Sequence, residues 1–217
     1  LHADWLGRLR HEGAPSVIFE VGANRGSATD RFRAEFPEST IYACEQGQAG
    51  FAERRARARQ DPGIKLYQVA LGEHDGSATL HQNAFALANS LLTNSERTAR
   101  YSPPDAGTSA GRCQVPVARL DSFCAGEGIH RIDLLKIDTQ GYERQVLAGA
   151  GKLLTPATIR GLFLEVLFVD LYKGQTWCGE VMELLRSRGY RFFGFTAVAF
   201  DRANGWKWAD AMFIGDA

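Results

Sequence analysis

The sequence predicts a doubly wound α/β fold. Its core is a mostly parallel, seven-stranded sheet flanked by helices, with the last strand antiparallel. Three observations carry this. Short β-prone apolar runs alternate with helical segments, the order of a parallel sheet with crossover helices. The first run, Val17-Ile18-Phe19, leads through a glycine turn between Gly22 and Gly26 into a helix. Carboxylates close several runs, so Glu20, Glu45 and Asp138, with Glu165 as a fourth, gather along one edge of the sheet.

The elements follow in order. Residues 1–10 read as a short amphipathic helix within an N-terminal segment, 1–12, and lack the form of a signal peptide. Val17, Ile18 and Phe19 suit a strand buried on both faces. Ser27 and Thr29 give the next helix a polar start, and it runs toward Phe36. Residues 40–45 form a second buried strand. Its last residue, Glu45, follows Gly22 by 23 positions, which in a strand-helix-strand unit places a carboxylate beside the glycine loop for ribose hydroxyls. Residues 50–60, rich in Ala and Arg, form a helix with a solvated basic face. Residues 64–71 make a third strand, whose end, Ala70 and Leu71, lies where an adenine would rest. Residues 77–81 return as an antiparallel or edge strand.

The stretch 83–111 keeps no helical or strand period and is expected to be a lid or substrate loop, with Asn89 and Ser90 nearest the reacting group. Residues 132–138 resume as a strong strand that ends in Asp138. The helix after it runs to about Leu154 and turns Val146, Leu147, Ala150 and Leu154 to the sheet. Residues 159–166 give a fifth core strand, and 178–188 a helix closed by Gly189. Residues 190–196 and 209–214 are the final strands, joined by a hairpin loop at 201–205.

Composition bounds the function. A chain of 217 residues, 45% hydrophobic, suits one domain, 1–217, with a real core. Lys and Arg total 25 against 25 Asp and Glu, so the basic excess of a nucleic-acid binder is missing. The most apolar window, 162–169, is too short to span a bilayer and holds Glu165. Cys44, Cys113, Cys124 and Cys178 form no Cys-x-x-Cys pair, and no histidine stands at metal-finger spacing. A reducing, cytoplasmic setting is the simplest reading.

The glycine turn limits the ligand. A dinucleotide loop takes glycine at its first, third and sixth positions, but here Asn24 and Ser27 follow Gly22 at the last two. A nicotinamide oxidoreductase therefore remains only as an alternative, as does a non-catalytic binding module on the same fold. The turn Glu20-Val21-Gly22-Ala23-Asn24-Arg25-Gly26 instead resembles the first motif of S-adenosylmethionine-dependent methyltransferases. The most specific stretch runs from Asp133 through Lys136, Asp138 and Gly141 to Glu143, followed by Val146-Leu147-Ala148-Gly149-Ala150. With Glu45, Ala70-Leu71-Gly72, Asn89-Ser90-Leu91, Leu120-Asp121 and Glu165-Val166, the pattern over 17–190 resembles the FkbM-type methyltransferases. Two features depart from it: Gln46 and Gly47 follow Glu45 where such enzymes more often carry Pro, and 97–111 matches no family pattern.

The resemblance implies a Rossmann-like methyltransferase that O-methylates a hydroxyl on a sugar or secondary metabolite. It implies S-adenosylmethionine held by Glu20, Gly22, Ala23, Asn24, Gly26, Glu45, Gln46, Ala70, Leu71 and Asp138. Asp138 and Glu143 are the candidate catalytic carboxylates, because a hydroxyl acceptor gains from a base that takes its proton. Asn89 and Ser90 are the candidate substrate residues. Acidic groups binding a divalent cation are the alternative, with no metal ligand assigned.

Overall fold

The computed structural model describes residues 3–11 and 13–215, so residues 1, 2 and 12 of the expected N-terminal helix lie outside the described residues. The helices are α1 (Ala3–His11), α2 (Ser27–Glu35), α3 (Gln48–Ala58), α4 (Thr98–Tyr101), α5 (Leu120–Glu127), α6 (Glu143–Gly149) and α7 (Cys178–Ser187). The first strands are β1 (Val17–Val21), β2 (Thr40–Cys44), β3 (Ile64–Tyr67), β4 (Ala70–Leu71), β5 (Gly76–Asn83) and β6 (Ser109–Ala118). The rest are β7 (Ile132–Ile137), β8 (Ile159–Leu167), β9 (Tyr190–Asp201) and β10 (Gly205–Gly215).

Seven strands form the main sheet in the order β3-β2-β1-β7-β8-β10-β9. All neighbours from β3 to β8 are parallel, and β10 is antiparallel to both β8 and β9. The predicted sheet and its antiparallel last strand are therefore present. Alternation along each strand feeds two apolar layers. Phe19, Leu135, Leu162 and Phe213 pack on one face with Val146, Leu147, Val181 and Leu185 of α6 and α7. Ile18, Leu134, Phe163 and Met212 pack on the other with Trp5 and Leu9 of α1 and Phe32 of α2.

β7 is buried along its whole length although it carries Asp133 and Lys136. Asp133 Oδ2 accepts from the Ser16 and Val17 amides at 2.9 and 3.1 Å, which ties the start of β1 to β7. Burial would raise this carboxyl, but the two amides and Arg160 outweigh it and hold it low.

Three elements differ from the sequence expectation. The third strand divides, because Tyr67 O ends the pairing with β2 by accepting from the Glu45 amide at 3.0 Å. Ala70 and Leu71 then pair with Val117 and Ala118 in a separate three-stranded sheet, β4-β6-β5. The helix expected to reach Leu154 stops at Gly149, where a Cβ would stand 2.0 Å from Gly72 O, and resumes only as a single 3₁₀ turn. The final hairpin is longer than its sequence suggested, extended by aromatic pairs such as Phe195 with Trp206, whose ring centroids lie 5.6 Å apart.

The stretch 83–111 holds the short helix α4 and, at 109–111, the first residues of β6, where the sequence showed no period; between them it is irregular, and it is anchored at its middle. Ser95 donates its amide to Leu171 O at 2.9 Å and its hydroxyl to Asp170 O at 3.0 Å. Asn94 Nδ2 donates to Asn83 Oδ1 at 2.7 Å. Two arms, 85–89 and 102–106, extend from this anchor over the C-terminal ends of the strands.

Candidate active site

The parallel strands end in a cleft of about 440 Å³. Its first wall is the glycine turn. Gly22 has φ +76°, and a Cβ there would stand 1.9 Å from Asp138 O, so only glycine lets the turn after β1 touch the end of β7. Asn24 follows in a left-handed conformation, φ +42°. Glu45 Oε2 accepts from the Asn24 amide and Oε1 from the Gly47 amide, each at 2.6 Å. Burial pushes the Glu45 carboxyl up, opposed by those two amides and Arg54. A carboxylate has about four lone-pair sites, so two remain for a ligand.

The second wall is an acidic floor. Asp138 follows β7, with Lys136 Nζ 3.2 Å from its Oδ2. Burial would lower the Lys136 ammonium, but Asp138 and Glu20 outweigh it and hold it up. Gln140 Nε2 donates to Asp138 Oδ1 and to Glu165 Oε2, both at 2.9 Å. The Tyr172 hydroxyl donates to Gln140 Oε1 at 2.9 Å. Gln140 itself sits at φ +57°, a conformation that costs on the order of 1–2 kcal/mol in a non-glycine residue. Burial, then the charges of Asp138, Glu143 and Asp210, hold the Glu165 carboxyl well above the usual carboxylate range. Asp210 lies opposite Glu165 in the β8–β10 register and is pushed up to about 6 by burial and by Asp138.

Among the sequence-named residues, Gly22, Asn24, Glu45, Gln46, Asn89 and Asp138 line the cleft. Ala70 and Leu71 line a narrow crevice that shares Gln46 with it. Five others are absent from the lining. Glu20 is fully buried, accepts from the Thr29 hydroxyl, and lies 3.8 Å from Lys136 and 4.0 Å from Arg54. It sits within β1 and not past its end, so it supports the loop from below. Burial raises its carboxyl against those two cations. Arg54 thus faces inward, unlike the rest of the solvated basic face expected for α3. Ala23 donates its amide to Cys44 O at 3.0 Å, and Gly26, φ +88°, caps α2. The Ser90 hydroxyl donates to Gln140 O at 2.8 Å, which fixes the backbone of Gln140 and leaves Ser90 1% exposed.

Glu143, the other candidate catalytic carboxylate, is also absent from the lining. Its Oε1 accepts from the Thr139 amide and hydroxyl at 3.1 Å and from the Gly141 amide at 3.2 Å, shaping the turn between β7 and α6. Burial pushes its carboxyl up to about 7. A carboxyl raised above its unfolded value stabilises the fold at low pH and loses that contribution as pH climbs toward 7. Glu143→Gln is therefore expected to keep near wild-type turnover and to lose less stability than the wild type between pH 5 and pH 8. Chemical denaturation at the two pH values checks the second point, and a large loss of turnover with intact folding would return Glu143 to the mechanism.

Sequence reasoning gave no role to Gln140, although it stood inside the quoted motif, nor to Tyr172, Trp208, Phe85 or Leu87, which also line the cleft. A wider, open depression of about 590 Å³ lies apart, over Ser95, Arg97, Asp170 and Lys173. Among the described residues, no group of three or more His, Cys, Asp or Glu side chains is arranged to hold a metal ion. Among the same residues, no helix is long and apolar enough to cross a membrane.

Comparison with known proteins adds the following. The methyltransferase FkbM domain matches residues 20–192. The chain is 34% identical over 196 residues to the 31-O-demethyl-FK506 methyltransferase FkbM of Streptomyces tacrolimicus, covering 80% of this chain and 72% of that protein. It is 27% identical over 178 residues to the 2-O-methyltransferase NoeI of Sinorhizobium fredii, covering 79% of this chain and 71% of that one. Burkholderia thailandensis 1,6-didemethyltoxoflavin-N1-methyltransferase, solved with 1,6-didemethyltoxoflavin and S-adenosylhomocysteine, shares the fold at TM-score 0.51 and 14% identity, over 99% of this chain and 78% of that one. Aeropyrum pernix fibrillarin, solved with S-adenosyl-L-methionine natively bound, does so at TM-score 0.52 and 12% identity, over 93% and 66%.

Proposed function

The chain is an S-adenosylmethionine-dependent methyltransferase of the FkbM family, and on that premise we propose that it methylates a hydroxyl oxygen of a sugar or secondary metabolite. One observation carries the reading: cleft-lining residues follow one another along adjacent strand ends, the carboxylate of Glu45 after β2, the bare backbone of Gly22 after β1, and the carboxyl groups of Asp138 after β7 and Glu165 in β8. Adjacent strands lie about 4.8 Å apart, so the row spans roughly 14 Å. That length takes a nucleoside at one end and an acceptor at the other. Two relatives carry names that specify oxygen, which supports a hydroxyl acceptor.

The residues present fit the cofactor. Glu45 offers its free lone pairs to ribose hydroxyls. The close approach at Gly22 leaves a bare backbone beside the ligand. When bound, S-adenosylmethionine supplies an electrophilic methyl group on a sulfonium whose leaving group is a neutral thioether. Alignment of the acceptor then accounts for most of the rate, as expected of a proximity effect. Asp138 takes the acceptor's proton. Gln140 sets the orientation of Asp138 and Glu165 together, and Tyr172 holds Gln140. Glu165 Oε2 accepts from Gln140 Nε2 at 2.9 Å, which holds it on the same floor as Asp138. The arms 85–89 and 102–106 act as the lid that excludes water. A cytoplasmic setting completes the reading, and the four free cysteines suit it.

Thermal unfolding tests the cofactor. S-adenosylhomocysteine at a hundred times its Kd should raise the melting temperature by about 5–10 °C, because a ligand that binds only the folded state stabilises it. No shift with either form of the cofactor, beside a clear shift with NAD, would overturn the reading.

A further inference from the structure

We infer that the acceptor is a hydroxyl carried on an apolar ring scaffold, and not a free sugar. The inference rests on the methyltransferase reading and deepens it. Beyond Asp138 and Glu165, the cleft changes character: Phe85, Leu87, Pro103, Leu167, Leu171 and Trp208 line it. Phe85 is 40% and Leu87 49% exposed, and these two face the cleft, whereas Trp177, Phe192, Val198, Phe200 and Trp206, also exposed, are not among its lining residues.

This surface is built, not frayed. Phe85 donates its amide to Asp105 O at 3.2 Å, which ties the two arms together. Asn83 Nδ2 donates to Ala88 O at 2.7 Å. The backbone of 85–88 is thus fixed at both ends while its two large apolar side chains stay in water. Across the cleft, Trp208 stands in register with Leu167 on the β8–β10 pair. Apolar surface left on a fixed backbone inside a ligand cleft gains by taking up an apolar body.

A sugar meets this region poorly. One of its faces can stack on Trp208, but its remaining hydroxyls would lose water against Phe85, Leu87, Pro103 and Leu167, with Ser102 too few to replace it for all of them. Asn89, which also lines the cleft, has its carbonyl engaged already, accepting from the Asn83 amide at 2.7 Å. Ser102, beside Pro103, is a polar side chain on the arm, while Asp138, Gln140, Glu165 and Tyr172 are gathered on the floor. The division suits a ligand with one buried hydroxyl and an apolar remainder.

The test uses two probes on the protein saturated with S-adenosylhomocysteine: 2-naphthol, a hydroxyl on an apolar ring, and methyl β-D-glucopyranoside. Calorimetry should show 2-naphthol binding at least about tenfold more tightly. Leu87→Asn should weaken 2-naphthol binding by about tenfold and leave the melting temperature of the ligand-free protein unchanged, since Leu87 is half exposed. Equal or tighter binding of the glucoside, or unaltered 2-naphthol binding by the folded Leu87→Asn protein, overturns the inference. Failure of S-adenosylhomocysteine itself to bind the wild type overturns the methyltransferase reading, so the two failures are distinct.

Discussion

Asp138→Asn is expected to lower methyl-transfer turnover by about 10²–10⁴-fold, the range of a lost general base. The change is nearly isosteric and removes the charge that lies 3.2 Å from Lys136 Nζ. Gln140 can still donate to the amide oxygen, so the orientation of the side chain survives. Lys136 keeps Glu20 at 3.8 Å as a partner, so the buried ammonium is not abandoned. Affinity for S-adenosylhomocysteine should change by no more than about threefold, because the proton-accepting role concerns the acceptor. Combined loss of turnover and cofactor affinity would instead assign Asp138 to the cofactor's ammonium. Near wild-type turnover in the folded variant would remove Asp138 from the mechanism.

Glu45→Ala should weaken S-adenosylhomocysteine binding by roughly tenfold to a hundredfold, the worth of about 1.5–3 kcal/mol in lost charge-assisted hydrogen bonds to ribose. The same carboxylate also holds the Asn24 and Gly47 amides at 2.6 Å, so the alanine variant loosens the loop as well. Glu45→Gln separates the two effects. It retains one acceptor oxygen and a similar shape, and its loss should be intermediate. An unchanged dissociation constant in both variants, measured by calorimetry, would leave Glu45 with a purely structural part.

Much of the frame was legible in the sequence because parallel strands announce themselves. Apolar runs such as Val17-Ile18-Phe19 and Ile132-Asp133-Leu134-Leu135 have few alternatives when both faces must be covered. The spacing from Gly22 to Glu45 follows from one strand-helix-strand unit, and both residues line the cleft. What failed to show was the direction of each side chain. Glu20 and Asp138 read alike as carboxylates near strand ends, and Glu143 as a second candidate base in the turn after Asp138. Yet Glu20 turns into a cluster with Lys136 and Arg54, and Glu143 folds back on its own turn. Position along a strand is local information, whereas the partner that captures a carboxylate comes from elsewhere in the chain. The same limit hid Tyr172 and Trp208, which reach the cleft only through the pairing of distant segments. Gln140 was visible as part of a motif, but its bridge from Asp138 to Glu165 spans two strands and needs both in place.

The central claim is that the cofactor lies across the ends of β2, β1 and β7, with the acceptor over β8 and β10. A crystal structure of the protein with S-adenosylhomocysteine tests it most directly. The account predicts ribose hydroxyls within hydrogen-bond reach of Glu45, the amino acid end beside Gly22, and the sulfur facing the floor formed by Asp138, Gln140 and Glu165. A ligand seated in the separate depression over Ser95 and Lys173, or one in the cleft with its ribose away from Glu45, would contradict it.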